Sequence, residues 1–188
     1  MRDVIKNEIN AHIQVANSLH HLAEEIIKSS QLCIESLKNG GKILIFGNGG
    51  SAADAQHIAA ELIGRYKVER KGLPAIAITT DTSVITSIGN DFGYSHVFDR
   101  QIEALANEGD VAIGISTSGN SENVISALKI ASKLNCITIG FSGKNGGEMN
   151  KLCNINLAIS SEDTPRIQEM HIFIGHTICH LIDQEFKT

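Results

Sequence analysis

Five short apolar runs, each separated from the next by enough chain for a helix, constrain the fold more than any other feature. They are Lys42–Phe46, Ala75–Thr79, Val111–Ile115, Cys136–Phe141 and Ile155–Ile159. None alternates apolar with polar residues. Strands read this way when both faces are buried, as in parallel sheets covered by helices on two sides. Helical stretches fill the gaps, at about Ala52–Tyr66, Thr82–Ile88, His96–Ala106 and Glu122–Leu134. A last one opens at Pro165, where the missing N–H costs nothing, and runs to about Glu185. The pattern predicts an α/β fold: a three-layer α-β-α sandwich around a five-stranded parallel sheet. At 188 residues the chain suits a single domain, residues 1–188.

Residues 3–38 precede the first strand and carry Ile5, Ile9, Ile13, Ala16, Leu19, Ala23, Ile26, Ile27, Ile34 and Leu37. The steps of three and four predict an N-terminal helix, with Asn39-Gly40-Gly41 as its left-handed stop. One long helix and an antiparallel hairpin broken near Asn17-Ser18 both satisfy the spacing. Such a helix often packs on another subunit, so 1–38 reads as an oligomerisation segment ahead of an α/β core at 42–188. Packing on its own domain is the plainer alternative.

Composition excludes several classes. Sixteen Lys and Arg against 21 Asp and Glu leave a formal charge of −5, whereas a nucleic-acid binder shows a basic excess. Aromatic residues are 4% with no Trp, too few for base-stacking platforms. The local basic group Arg65, Lys67, Arg70 and Lys71 reads as a solvated helix end. No apolar run approaches the roughly 20 residues of a membrane span, and Met1–Glu8 is too polar for a secretory signal. Cys33, Cys136, Cys153 and Cys179 include no Cys-x-x-Cys pair, so they read as small buried hydrophobes. A cytoplasmic location, where thiols stay reduced, fits.

The loop Ser116-Thr117-Ser118-Gly119-Asn120-Ser121 follows a strand and precedes a helix. It brings four hydroxyls, backbone N–H groups and the positive end of a helix dipole to one spot. Without Lys or Arg, it suits a phosphate held by neutral donors, as on a sugar phosphate. A helix cap alone needs one hydroxyl rather than four. Three lookalikes fail. Gly47-Asn48-Gly49-Gly50-Ser51-Ala52 fits the dinucleotide fingerprint but lacks the acid about 20 residues on. Gly114–Ser118 ends in Ser where a nucleophile elbow ends in Gly. Asp91-Phe92-Gly93 stands without the other kinase signatures.

Ligands of such sheets bind beyond the carboxyl ends of the strands, which predicts the 47–51 loop, the 116–121 loop and the start of the last helix on one rim. His57 and Glu61, four apart, share a helix face, a spacing that suits two metal ligands or an acid and a base. Gln168, Glu169, His171, His176 and His180 lie along the final helix. Gln168 and His176 are about 80° apart around it, and spacing alone pairs Glu169 with His176. Each lone His also has a structural reading, and the pattern leaves the choice open.

Taken in order, Gly47-Asn48-Gly49-Gly50-Ser51-Ala52, Ala55-Gln56-His57, Glu61–Arg65, Gly89-Asn90-Asp91-Phe92-Gly93, Ser116–Ser121 and Arg166-Ile167-Gln168-Glu169 resemble the phosphoheptose isomerases of the sugar isomerase (SIS) domain family. The resemblance spans nearly the whole chain. It implies a homotetramer that converts sedoheptulose 7-phosphate to D-glycero-D-manno-heptose 7-phosphate, the entry to bacterial heptose synthesis for lipopolysaccharide or capsule. It implies one zinc ion per subunit on His57, Glu61, Gln168 and His176. It further implies phosphate binding by Ser116, Thr117, Ser118 and Ser121, and substrate contacts from Asn48, Gly49, Gly50, Ser51, Arg65, Asn90, Asp91 and Gln168. Thr164-Pro165-Arg166 departs from the family, which often has Asp or a small residue before the Arg. The contact made at Pro165 is the one feature that departure touches.

Aldose–ketose interconversion through an enediol needs a base for the carbon-bound proton and an acid for the oxygen. We expect Glu61 to be the base and His176 the acid. The competing reading is a non-catalytic SIS-domain protein that binds sugar phosphates or a replication initiator. The intact set of His57, Glu61, Gln168 and His176 argues for the enzyme.

Overall fold

The computed structural model describes residues 1–187. Helices α1 (Arg2–Ser18) and α2 (Ala23–Lys38) are joined by a 3₁₀ turn, Leu19–Leu22. Then follow β1 (Ile43–Gly47), α3 (Gly50–Ile63), β2 (Ala75–Ala77), α4 (Thr82–Asp91), a 3₁₀ turn at Tyr94–His96, and α5 (Asp99–Leu105). The chain continues through β3 (Val111–Ser116), α6 (Glu122–Lys133), β4 (Ile137–Gly143), α7 (Met149–Leu152), β5 (Ile155–Ile159) and α8 (Thr164–Phe186). No helix among the described residues is long and apolar enough to cross a membrane.

All strand pairings are parallel and the order is β2-β1-β3-β4-β5. Successive residues of one strand feed opposite cores. Ile43 and Ile45 of β1 pack with Ile113, Ile115 and Phe141 beneath α2, α3 and α8. Leu44 and Phe46 pack with Ala112 beneath α5 and α6. Both faces demand apolar side chains, so alternation disappears from the sequence. From β1 the chain moves outward to β2, then returns to the other side of β1 for β3. The crevice between the carboxyl ends of β1 and β3 is therefore the topological switch point, where ligands of open α/β sheets bind. The loops 47–51 and 116–121 flank it.

The N-terminal segment does not fold back as a hairpin. It is a helical rod with a 3₁₀ interruption, and it follows α8 in the same direction. Arg166 of α8 donates to the Glu8 carbonyl (2.8 Å), Glu169 meets His12 (2.8 Å), and Lys38 pairs with Glu185 at the far end. Ile5, Ile9 and Ile13 remain half exposed on α1, at 61%, 53% and 50%. Two further expectations are adjusted. The helix read at His96–Ala106 is a 3₁₀ turn followed by a shorter α5, and β2 stops at Ala77.

Arg70 is the clearest correction, because it is not part of a solvated helix end. Its side chain is fully buried, with Nε donating to Asp183 Oδ1 (2.7 Å) and the guanidinium reaching the carbonyls of Glu61, Leu62 and Lys71 (2.9–3.1 Å). Those carbonyls include the last ones of α3, which have no partner inside the helix. A buried cation consumes them and ties the end of α3 to α8. Closer to the middle of the two helices, Gly175 lets them touch. A Cβ there would stand 2.5 Å from Ile58 Cδ1.

Candidate active site

The loop after β3 is built as a concave hydroxyl cluster. Ser116 Oγ lies 2.8 Å from Ser121 Oγ and 3.4 Å from Ser118 Oγ, and the Ser121 N–H donates to Ser116 Oγ (3.3 Å). Ser121 is the N-cap residue of α6, yet its hydroxyl makes no cap bond. Unsatisfied N–H groups of that first turn stay directed at the rim. Gly119 sits at φ +67, and a Cβ on it would lie 2.2 Å from the Gly146 carbonyl oxygen. Only glycine fits against this turn. The Met149 N–H donates to Gly119 O (3.2 Å) and the Glu148 N–H to Asn120 Oδ1 (2.9 Å), so the 146–149 segment braces the loop from behind.

Across the switch point, Ser51 is buried at the start of α3, while Gly49 and Gly50 are exposed. Gln168 of α8 lies on this rim, and its amide nitrogen is 2.5 Å from where a Gly50 Cβ would be. Glycine at 50 makes room for the Gln168 carboxamide. Asn90 and Asp91 close α4, both exposed, with the Asn90 amide donating to Asp91 Oδ1 (2.8 Å).

A second constellation lies lower. His57 Nε2 is 3.2 Å from Glu61 Oε1 and 3.3 Å from His176 Nε2. One ligand atom from each of the three lies within 4.8 Å of the others. Two imidazoles and a carboxylate are donor types that zinc accepts, and the spacing suits a single ion. His57 is about half exposed and the Glu61 side chain 23%. Both helices descend from the rim, so position along them gives depth. His57 is seven residues below Gly50 on α3, about 10 Å, and Glu61 is eleven below, about 16 Å. These groups therefore lie below the rim rather than at it. Three of the four predicted ligands gather on the solvent side of the α3–α8 seam, and Gln168 lies two helical turns above them. Arg65, past the end of α3, is exposed at the opposite end from the rim.

The electrostatics favour a neutral imidazole at His176. Desolvation lowers its proton affinity, as do His57 and Lys67, against an opposing pull from Glu61. Tyr66 stacks on the His176 ring (centroids 5.1 Å, interplanar angle 17°) and was missed from sequence, although it directly follows Arg65. Asp54, one turn ahead of His57, was also missed. Burial pushes its carboxyl up to about 6, with His57 acting in the other direction, and its Oδ2 has no hydrogen-bond partner. Glu169, which spacing pairs with His176, instead accepts from His12 (2.8 Å) and Arg166 (2.7 Å).

Comparison with known proteins agrees with this architecture. The SIS domain family profile matches residues 9–143. The phosphoheptose isomerase of Aliarcobacter butzleri is 62% identical over 188 residues, the full length of both chains. The structure of phosphoheptose isomerase GmhA from Neisseria gonorrhoeae superposes with a TM-score of 0.92 at 42% identity, covering 97% of this chain and 98% of that one. A phosphoheptose isomerase from Francisella tularensis gives 0.92 at 37% identity over 98% of each chain. The chain belongs to the phosphoheptose isomerase family of SIS-domain proteins.

Proposed function

We propose that this protein is an aldose–ketose isomerase that converts sedoheptulose 7-phosphate to D-glycero-D-manno-heptose 7-phosphate, the first step of nucleotide-activated heptose synthesis. The observation that carries the reading is the gathering of His57, Glu61 and His176 in a full-length relative of enzymes bearing that name. The Ser116–Ser121 hydroxyls and the α6 N-terminus hold the phosphate, remote from the reacting carbons. Binding energy spent there fixes C1 and C2 against the catalytic pair.

Glu61 takes the proton from one carbon and returns it to its neighbour, and His176 exchanges a proton with the carbonyl oxygen. A neutral His176 gives its ring N–H proton to the C2 carbonyl oxygen as Glu61 takes the C1 proton, and takes the O1 hydroxyl proton as Glu61 returns its proton to C2 and the enediol becomes the aldose. His57 and Glu61, with His176, would hold a zinc ion, which supplies Lewis acidity toward the sugar oxygens. Gln168, two helical turns higher on α8, stands beside Gly50 at the rim and contacts the sugar there. Ligation and proton transfer compete for the Glu61 lone pairs, so the two roles alternate.

The depth of the His57–Glu61–His176 group supports assembly as a homotetramer with shared sites. A sugar whose phosphate rests in one subunit's rim loop reaches such a group more directly on a neighbouring subunit than around its own α3. The exposed Ile5, Ile9 and Ile13 supply an apolar stripe for that association. A single domain working in the cytoplasm accords with this reading.

Incubation with sedoheptulose 7-phosphate, with the aldose product detected by NMR, tests the proposal. Conversion supports it. Binding without conversion replaces it with a sugar-phosphate-binding role.

A further inference from the structure

The switch-point crevice is closed by a side-chain clasp. Asn48 Nδ2 donates to Asn123 Oδ1 (2.9 Å), and Asn123 Nδ2 donates to Asn48 Oδ1 (2.8 Å). The pair joins the loop after β1 to the first turn of α6, immediately past the phosphate loop. Asn123 is 2% exposed, so its amide has no water to fall back on.

The direction of the clasp is fixed by the backbone. Asn123 Oδ1 also accepts the Val124 N–H (2.9 Å), one of the orphan donors at the start of α6. That bond identifies the oxygen and forces Asn123 Nδ2 to face Asn48. Asn48 must then present its oxygen to Asn123. A third group reads the same orientation, since the Tyr94 hydroxyl donates to Asn48 Oδ1 (3.2 Å). The 3₁₀ turn carrying Tyr94 is anchored in turn: His96 Nδ1 contacts Asp99 Oδ2 (2.8 Å), and Ser126 of α6 donates to that same oxygen. With Oδ1 taken twice and one Nδ2–H engaged, Asn48 keeps a single N–H.

We infer that Asn123 is a positioning residue. It locks the Asn48 carboxamide so that one N–H donor, and never the oxygen, faces the sugar. Asn48 then selects an acceptor oxygen on the substrate, and a donor group placed there is refused. Tyr94 reinforces the same lock. The inference rests on the isomerase reading for its substrate, while the clasp itself can be tested without turnover.

The experiment is a double-mutant cycle on kcat/KM for sedoheptulose 7-phosphate, with inorganic phosphate binding measured on the same proteins. Asn123→Ala is expected to lower kcat/KM 10- to 100-fold, while the phosphate Kd changes by less than twofold. On an Asn48→Ala background, Asn123→Ala is expected to cost less than a further twofold. Tyr94→Phe, an exposed position that leaves folding alone, is expected to cost two- to fivefold in the wild type and nothing on Asn48→Ala. Losses that multiply across the cycle, or phosphate binding that falls in parallel, would overturn the inference. A crystal structure of Asn123→Ala supplies the independent arm. The Asn48 carboxamide should turn or become disordered, and an unchanged orientation refutes the lock even if the wild type proves inactive. Wild-type inactivity with a turned amide would remove the functional reading and leave the clasp standing.

Discussion

Arg70 Nε and Asp183 Oδ1 meet at 2.7 Å with neither side chain exposed to solvent. Asp183 Oδ2 also accepts the N–H groups of Lys67 (2.7 Å) and Val68 (3.0 Å), so one carboxylate holds the connection leaving α3 against α8. Removing one member of a buried pair strands the other charge, a loss of about 3–5 kcal/mol. Asp183→Ala should lower the unfolding free energy by that amount, read from urea titration as a fall in the midpoint at unchanged m. It should also raise amide exchange in residues 64–73, beside Glu61.

His171 gives the fold a separate acid sensitivity. It is fully buried, and Nε2–H donates to the Ser142 carbonyl at the end of β4 (2.9 Å), leaving Nδ1 without a partner. Burial drives its pKa down to about 4, against a smaller upward pull from the Ser142 bond. The unfolded chain protonates near the ordinary value of about 6.5. Between these limits the unfolded state binds the extra proton, so stability falls as pH drops from about 6.5 toward 4. At pH 5 the penalty is about 2 kcal/mol. Urea titrations at pH 7 and pH 5 should reveal it in the wild type and find it missing in His171→Gln. Equal slopes in both proteins would assign the acid sensitivity elsewhere. Asp183 acts in a lower window. Burial alone would raise its pKa, but the Lys67, Val68 and Arg70 donors lower it overall, so its contribution fades only as pH falls below the usual carboxylate range.

Much of the fold was legible because the strands carry their own signal. Residues such as Ile43, Leu44 and Ile45 are apolar regardless of neighbours, since helices cover both faces of the sheet. The hydroxyl cluster after β3 was legible for a similar reason, Ser116, Ser118 and Ser121 lying within six residues. Depth was not. Helical spacing places His57 and Glu61 on one face, but how far they stand below the rim depends on the direction of α3 against the sheet. Arg70 was misread because its partner, Asp183, is 113 residues away. The Asn48–Asn123 clasp, spanning 75 residues, lacks any local pattern at all.

Gly119 tests whether the rim loop works as a rigid cradle. Alanine there needs a positive φ and must displace the Gly146 backbone, 2.2 Å from the new Cβ. Backbone gives way less readily than a side chain tip. Gly119→Ala should weaken inorganic phosphate binding at least tenfold by calorimetry and destabilise the fold by about 1–3 kcal/mol. Gly109, also at positive φ but with open space around it, is the control. Gly109→Ala should leave phosphate binding unchanged.

Glu61→Gln removes the proposed proton acceptor while keeping the size of the side chain. Turnover should fall about 10²- to 10⁴-fold, the range ascribed to a positioned base, with sugar-phosphate binding retained. Chelation should also abolish turnover in the wild type, and added zinc should restore it. Stoichiometry measured by metal analysis should fall from one ion per chain in His57→Ala and His176→Ala. Near-normal turnover in Glu61→Gln would take Glu61 out of the mechanism.

Sharing of sites between subunits makes a prediction that a self-contained subunit does not. Take one inactive variant lacking rim hydroxyls, Ser116→Ala with Ser121→Ala, and another lacking the base, Glu61→Gln. Each homo-oligomer contains only defective sites. If the rim loop of one copy works with the Glu61 of its neighbour, co-assembly places two intact halves together in some sites and both defects in others. Mixed oligomers, formed by co-expression and separated by differential tags, should then recover a substantial fraction of wild-type turnover. Ile9→Asp, placed on the exposed stripe of α1, should lower the sedimentation coefficient and abolish that recovery. If mixtures stay as inactive as their parents while sedimenting as mixed oligomers, rim and catalytic group belong to the same chain. The sugar would then have to reach Glu61 past the first three turns of its own α3.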